Sequence, residues 1–290
     1  MKNWVIVATF FCLWISTMFN SEIQTYLAYS LILTFGVLHG ANDLLLIRIK
    51  SSKKGLKVKF YKALSYYVFT ILIILAVFFS YPPLALLLFI LLSAYHFGEQ
   101  HFKKFTDTSK LLNSLLYIFY GLIILFMLFY FNLNEVLLIF QDLTEVQFTK
   151  TLFMYTLLLI GFLFLSCLFY LVLRKNLKIN IFEELFYLLV LLVVFKTAGL
   201  LWGFAIYFIL WHSIPSLTDQ MKFLYGKASK VEFLKYIKSS WLYWLTSIIG
   251  LLSLYLIFKE KTEYLTSILI YFLAAITFPH VIVMSKLEKD

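Results

Sequence analysis

Charge is scarce in this sequence. Only 14% of the 290 residues are Asp, Glu, Lys or Arg, where a soluble domain carries about a quarter. Too little polar surface exists to coat a water-soluble globule. Cysteine is scarcer still: Cys12 and Cys167 both lie inside apolar runs and outside any metal-type or redox-type pair, which argues against a disulfide framework. The apolar–polar alternation that a lipid-facing barrel strand requires is also absent. What remains is 62% hydrophobic residues and a mean hydropathy of +0.90, arranged in continuous apolar runs such as Ile71–Phe79 and Leu188–Phe195. With lipid as the solvent, such runs imply helices that satisfy their own backbone groups. The expected fold class is all-α: a polytopic transmembrane bundle forming one integral membrane domain over residues 1–290.

A bilayer core about 30 Å thick takes about 20 apolar residues per helical span. Ten spans are predicted, near 4–20, 26–47, 64–80, 83–98, 111–131, 151–173, 182–196, 199–214, 241–258 and 264–284. The first lacks a small-residue cleavage site and reads as a retained span. With the N-terminus inside, the inner segments hold one, seven, three, three, five and two Lys or Arg in chain order, 21 of 25. Only Lys150, Lys196, Lys259 and Lys261 fall outside. This bias predicts both termini in the cytoplasm and a multi-pass protein of the cytoplasmic membrane. The net charge of +10 then belongs to loops facing anionic lipid, not to a nucleic-acid surface. No internal repeat or separate soluble domain is visible, and oligomeric state leaves no trace.

Five histidines stand out: His39, His96, His101, His212 and His280. Four of them fall in spans two, four, eight and ten, each running from outside to inside. His39 lies nine residues before Arg48, His96 seven before Lys103, His212 seven before Asp219 and His280 six before Lys286, a depth of roughly 9–14 Å above the inner boundary. A lone polar residue in a membrane helix often only hydrogen-bonds its neighbour, for about 0.6 kcal/mol. Four imidazoles in one layer point further, because ionisable groups in lipid usually face a bundle interior and mark function. Neutral imidazole suits iron, copper, nickel and zinc, and ligands from separate helices can converge in a bundle core. The candidate ligands of one ion, Fe(II) or Zn(II), are therefore His39, His96, His212 and His280. Asp43, one turn after His39, and Glu99, three residues after His96, are candidates to accept the ligands' remaining ring N–H groups; water or lysine at the interface could equally satisfy them. Pro215 and Pro279 beside two of the histidines suggest helix breaks lining a cavity. Gly36, Gly40, Gly98, Gly199 and Gly203 would allow close helix approach or room for a ligand. Aromatics, 20% of the chain, would stack on a flat apolar substrate, but they are also ordinary lipid-facing and interfacial residues.

Four blocks read together carry a resemblance: Gly36-Val-Leu-His39-Gly-Ala-Asn-Asp43, Ser93-Ala-Tyr-His96-Phe-Gly-Glu99, Trp211-His212-Ser213 and Thr277-Phe-Pro-His280. In this order and spacing they resemble the Brp/Blh family of membrane-bound β-carotene 15,15′-dioxygenases. The resemblance implies an Fe(2+) enzyme that splits β-carotene from the bilayer at its central double bond with O2. The two retinals formed would supply a rhodopsin-type pump. It also implies ligand positions at His39, His96 and His212, with no catalytic residue beyond the ligands. The third family block commonly reads His-Ser-x-x-His, and here the second histidine position is Ser216; His280, at the same expected depth, is the substitute, with His101 nearer the interface. The second block commonly ends in Asp, where this chain has His101, and Leu38 replaces a usual proline.

Two other classes fit intramembrane histidines. A proton- or ion-coupled transporter would show inverted repeats with paired broken helices, and none is found. A haem-binding electron carrier would place histidines in facing pairs. A di-iron desaturase needs about eight histidines in HxxxH or HxxHH boxes, which five histidines cannot supply.

Overall fold

The computed structural model describes residues 2–53, 55, 59–106, 108–176, 179–258 and 265–287. Lys54, Lys57, Lys178, Lys259, Lys261 and Lys289, all used in the charge tally, lie outside the described residues. The described chain is helical throughout: α1 (Lys2–Met18), α2 (Ser21–Leu31), α3 (Asp43–Lys53), α4 (Phe60–Ser80), α5 (Pro82–Phe102), α6 (Lys110–Phe131), α7 (Leu133–Thr144), α8 (Lys150–Leu173), α9 (Ile181–Thr197), α10 (Leu200–Ile206), α11 (Ile214–Tyr225), α12 (Lys230–Phe258) and α13 (Leu265–Leu287). Two π-helical segments, Ile32–Gly36 and Tyr207–Ser213, join α2 towards α3 and α10 to α11.

Six helical stretches among the described residues are long and apolar enough to cross a membrane: Phe60–Ser80, Pro82–Phe105, Lys110–Phe131, Lys150–Leu173, Leu200–Tyr225 and Thr266–Lys286. They correspond to six of the ten expected spans. α1 and α9 reach 17 residues each. The expected span 26–47 is not one α-helix, because a π segment and a turn interrupt it before Asp43. The expected span 199–214 instead runs on to Tyr225. The short α7 was not anticipated; its amphipathic pattern is too brief to read as a span.

Helix starts are set locally. Ser109, Thr149 and Asn180 have extended backbones, and their side chains accept from Leu112 N, Leu152 N and Phe182 N, satisfying amides that a first turn leaves open. α11 stops at Gly226, whose φ of 81° suits a residue without Cβ.

Contacts group the chain into two compact units. The first comprises Met1–Ser30, Ile90–Gln141 and Glu145–His212. Its centre is α6, which packs on α8, α9 and α10, with α1 on α9. Leu116 and Ile124 of α6, Phe164 and Leu171 of α8, and Leu191 and Phe195 of α9 are all but inaccessible. The outward faces are apolar too: Phe162 and Leu158 of α8 are 68% and 62% exposed, as lipid-facing side chains are in a bundle whose solvent is hydrocarbon. The α5–α6 approach is very close. A Cβ on Gly98 would stand 2.0 Å from the Tyr117 carbonyl oxygen, and one on Gly121 would stand 2.0 Å from that of Ala94. Glycine is the residue that admits such backbone contact. Gly98 thus plays the role expected of it, whereas a Cβ on Gly199 would meet nothing. Trp202 and Trp211 donate their indole N–H to Ser16 and Thr9, pinning the α10 segment to α1.

The second unit comprises Leu31–Phe89, Asp142–Thr144 and Ser213–Asp290. There α13 packs on α4, α3 and α12, and α11 on α12 and α3. Three apolar clusters hold it: Leu46 with Val283 and Met284; Ile74 and Phe78 with Ala85 and Ala274; and Leu217 and Met221 with Tyr236.

Candidate metal centre

Each of the four candidate ligands is buried, with exposures of 6% for His39, 3% for His96, 1% for His212 and 4% for His280. They occur as two pairs. In the second unit the His39 and His280 rings meet edge to face with centres 4.7 Å apart. In the first unit His96 and His212 do the same, also at 4.7 Å. Two imidazoles bound to one ion by nitrogens at about 2 Å hold their ring centres roughly 4.5–5 Å apart. Either pair is therefore spaced as two ligands of one metal would be. Among the described residues no group of three or more His, Cys, Asp or Glu forms a ready metal site.

Irregular backbone delivers these side chains. His212 lies inside the π segment Tyr207–Ser213, and His39 comes three residues after the π segment Ile32–Gly36. A π turn shifts the register of the residues beyond it and is frequent at functional sites. His280 comes directly after Pro279, which sits inside α13 and has no N–H to give.

The tautomers in the second unit are set by the partners. His39 Nδ1 bonds the Gly36 carbonyl, which can only accept, so Nδ1 carries the proton and Nε2 the lone pair. His280 Nδ1 lies 2.9 and 3.1 Å from the two Asp43 oxygens. With Nδ1 directed at the carboxylate, the neutral form of the His280 ring carries its lone pair at Nε2. Both rings are thus in the form that ligates a transition metal, and the donor set fits an ion of intermediate softness.

Asp43 accepts from the ring of His280. The expectation paired it with His39, one turn earlier. Beyond the turn at residues 39–42 the Asp43 carboxylate meets His280, while His39 Nδ1 meets the Gly36 carbonyl. A residue missed from the sequence joins it: Tyr67 of α4 donates its hydroxyl to Asp43 Oδ2 at 3.0 Å. Glu99, expected beside His96, accepts from the Tyr95 hydroxyl at 3.2 Å and lies 3.9 Å from Lys103 Nζ. His101 meets the buried Glu184 through Nε2 at 2.6 Å and stacks on Tyr120 with ring centres 4.6 Å apart. Its nitrogen is thereby committed to a carboxylate. Ser216, at the departing ligand position, accepts from Gln220 Nε2 at 3.2 Å.

Gln220 belongs to a network that sequence reasoning did not find. Its Nε2 donates to the His39 carbonyl at 2.7 Å, and its Oε1 accepts from the Tyr236 hydroxyl at 2.7 Å. Tyr236 also reaches the His39 carbonyl at 3.2 Å, while Asn42 donates to the Tyr236 carbonyl. These groups hold the broken backbone around His39. In the first unit His212 is walled by aromatics, with Phe97 4.8 Å away and Phe208 stacked on it at 5.7 Å.

Fold and site together define a helical membrane protein with buried, paired imidazoles. The family model for beta-carotene 15,15'-dioxygenase matches residues 30–288, nearly the whole chain, and the chain belongs to that family. Its substrate class is accordingly a carotenoid. No curated protein and no solved structure matches the chain.

Proposed function

We propose that this protein is an iron-dependent β-carotene 15,15′-dioxygenase, splitting the central double bond with O2 so that each new carbonyl takes one oxygen atom and two retinals result. The observation that carries the reading is the His39–His280 pair, whose Nδ1 hydrogens go to Gly36 and Asp43 so that both Nε2 atoms carry the lone pair, in a chain of the family. The ligands proposed are His39, His96, His212 and His280, the four expected at one depth. Fe(2+), when bound, would supply the O2 chemistry.

The chain's own residues do the rest. Asp43 and the Gly36 carbonyl hold the imidazole tautomers. Gln220 and Tyr236 keep the His39 backbone from relaxing into a straight helix. Phe97 and Phe208 give the His96–His212 pair an apolar aromatic wall, suited to stacking on a polyene and to excluding water. β-Carotene is wholly apolar, so an intramembrane site spares its extraction into water. Ten spans with both termini cytoplasmic complete the proposal and rest on the charge bias.

Co-expression with a β-carotene pathway tests it. The orange pigment should bleach and retinal should appear by HPLC, with H39A, H96A, H212A and H280A each abolishing product. Unchanged carotene in cells with verified membrane expression would refute the enzyme reading.

A further inference from the structure

Tyr67 has no place in the sequence motifs, yet its hydroxyl ends on the carboxylate that orients His280. Asp43 is 2% exposed and opens α3. It collects two donors from two other helices: Tyr67 O–H from α4 at 3.0 Å and His280 Nδ1–H from α13 at 2.9 Å. The Tyr67 ring is itself fixed, packed on Leu46 of α3 and on Val283 and Met284 of α13. We propose that Tyr67 is a positioning residue for metal binding, acting through Asp43 to hold His280 as an Nε2 donor; this rests on the metal reading above.

The Asp43 carboxylate is the joint between Tyr67 and His280. With one donor it can rotate about its Cβ–Cγ bond and present either oxygen. A second donor from a packed ring opposes that rotation. His280 then keeps its Nδ1–H directed at a fixed oxygen, and its ligating nitrogen keeps its direction. Carboxylates and their partners behind a metal ligand typically change affinity 10- to 100-fold when removed. Tyr67 stands one bond further out, so the low end applies.

The test uses the full chain in detergent, titrated with Co(II) and read by its visible ligand-field bands, with thermal unfolding recorded for each variant. Y67F keeps the packed ring and loses only the hydroxyl. The expected result is about 10-fold weaker Co(II) binding with shifted bands and little change in unfolding temperature. D43N retains an acceptor oxygen and should fall between wild type and D43A. Y66F, whose ring is 63% exposed, should bind as wild type does. Y67F with unchanged affinity and spectrum, alongside a weakened D43A, would overturn the role of Tyr67 and leave the metal reading standing. No saturable Co(II) binding by the folded wild-type protein would overturn the metal reading, and this inference with it.

Discussion

Replacing Gly98 by alanine tests the α5–α6 interface that carries His96. The new methyl would lie 2.0 Å from the Tyr117 carbonyl oxygen, and the reciprocal change at Gly121 would put one 2.0 Å from that of Ala94. Carbon–oxygen contacts between packed helices normally lie near 3.3–3.6 Å, so the helices must part by more than about 1 Å. Both offending atoms are backbone, and no rotamer change can relieve the clash. Overpacking a core costs typically 1–3 kcal/mol; two rigid backbones place G98A and G121A at the upper end, about 3 kcal/mol. Gly161 of α8 is the internal control, because a Cβ there meets nothing within 4 Å. Alanine at 161 removes only the glycine penalty in a helix, so G161A should be neutral or gain about 0.5 kcal/mol. Thermal unfolding of purified protein in one detergent should lower the midpoint by roughly 5–10 °C for G98A and G121A, and leave it level or slightly raised for G161A. Equal midpoints for G98A and G161A would refute the close approach.

Q220L should cost about 1–3 kcal/mol, because it strips buried partners from the His39 carbonyl and the Tyr236 hydroxyl; retinal yield per folded molecule should fall, and an undiminished yield would show that the network does not position His39. E184A removes the acceptor of His101 and should lower the unfolding midpoint by a comparable amount while bound metal, measured by elemental analysis, stays constant; metal loss would reassign His101. S216H inserts a ring where a fully buried serine sits and should destabilise by about 1–3 kcal/mol without raising retinal formation, and a gain in product would mean that position 216 is a working ligand site.

Much of the fold was legible because lipid imposes a simple rule: long apolar runs must be helices. The runs at 64–80, 111–131 and 151–173 therefore lie within α4, α6 and α8. Similar spacing from the inner charges marks out four histidines, and all four are buried. What the sequence hid is where a helix departs from 3.6 residues per turn. Nothing in Ile32–Gly36 or Tyr207–Ser213 marks a π segment, since the cause lies in tertiary packing. Without that break the partner of Asp43 cannot be read, because helical spacing sets it beside His39. Tyr67, Gln220 and Tyr236 escaped for a related reason. Tyr and Gln near a span's end look like ordinary interfacial residues, and only the fold shows their polar ends directed inward at the break.

The break itself explains why those polar groups are there. In a straight helix the His39 carbonyl would be bonded by the Asp43 amide, four residues on. At the turn that amide goes to the Gly40 carbonyl instead, and an unsatisfied carbonyl away from water is costly. Gln220 of α11 supplies the missing donor at 2.7 Å, and the Tyr236 hydroxyl of α12, bonded to Gln220 Oε1, lies 3.2 Å from the same carbonyl. Five further side chains of that unit, Asn42, Ser216, Ser240, Asp43 and His280, are buried around the same network. A protein seeking only stability would have continued the helix through residue 42 and buried leucines there. The interruption goes with a division of partners: one imidazole is oriented by a carbonyl and the other by a carboxylate. Two histidines from distant parts of the chain thereby turn the same ring nitrogen, Nδ1, to a buried acceptor.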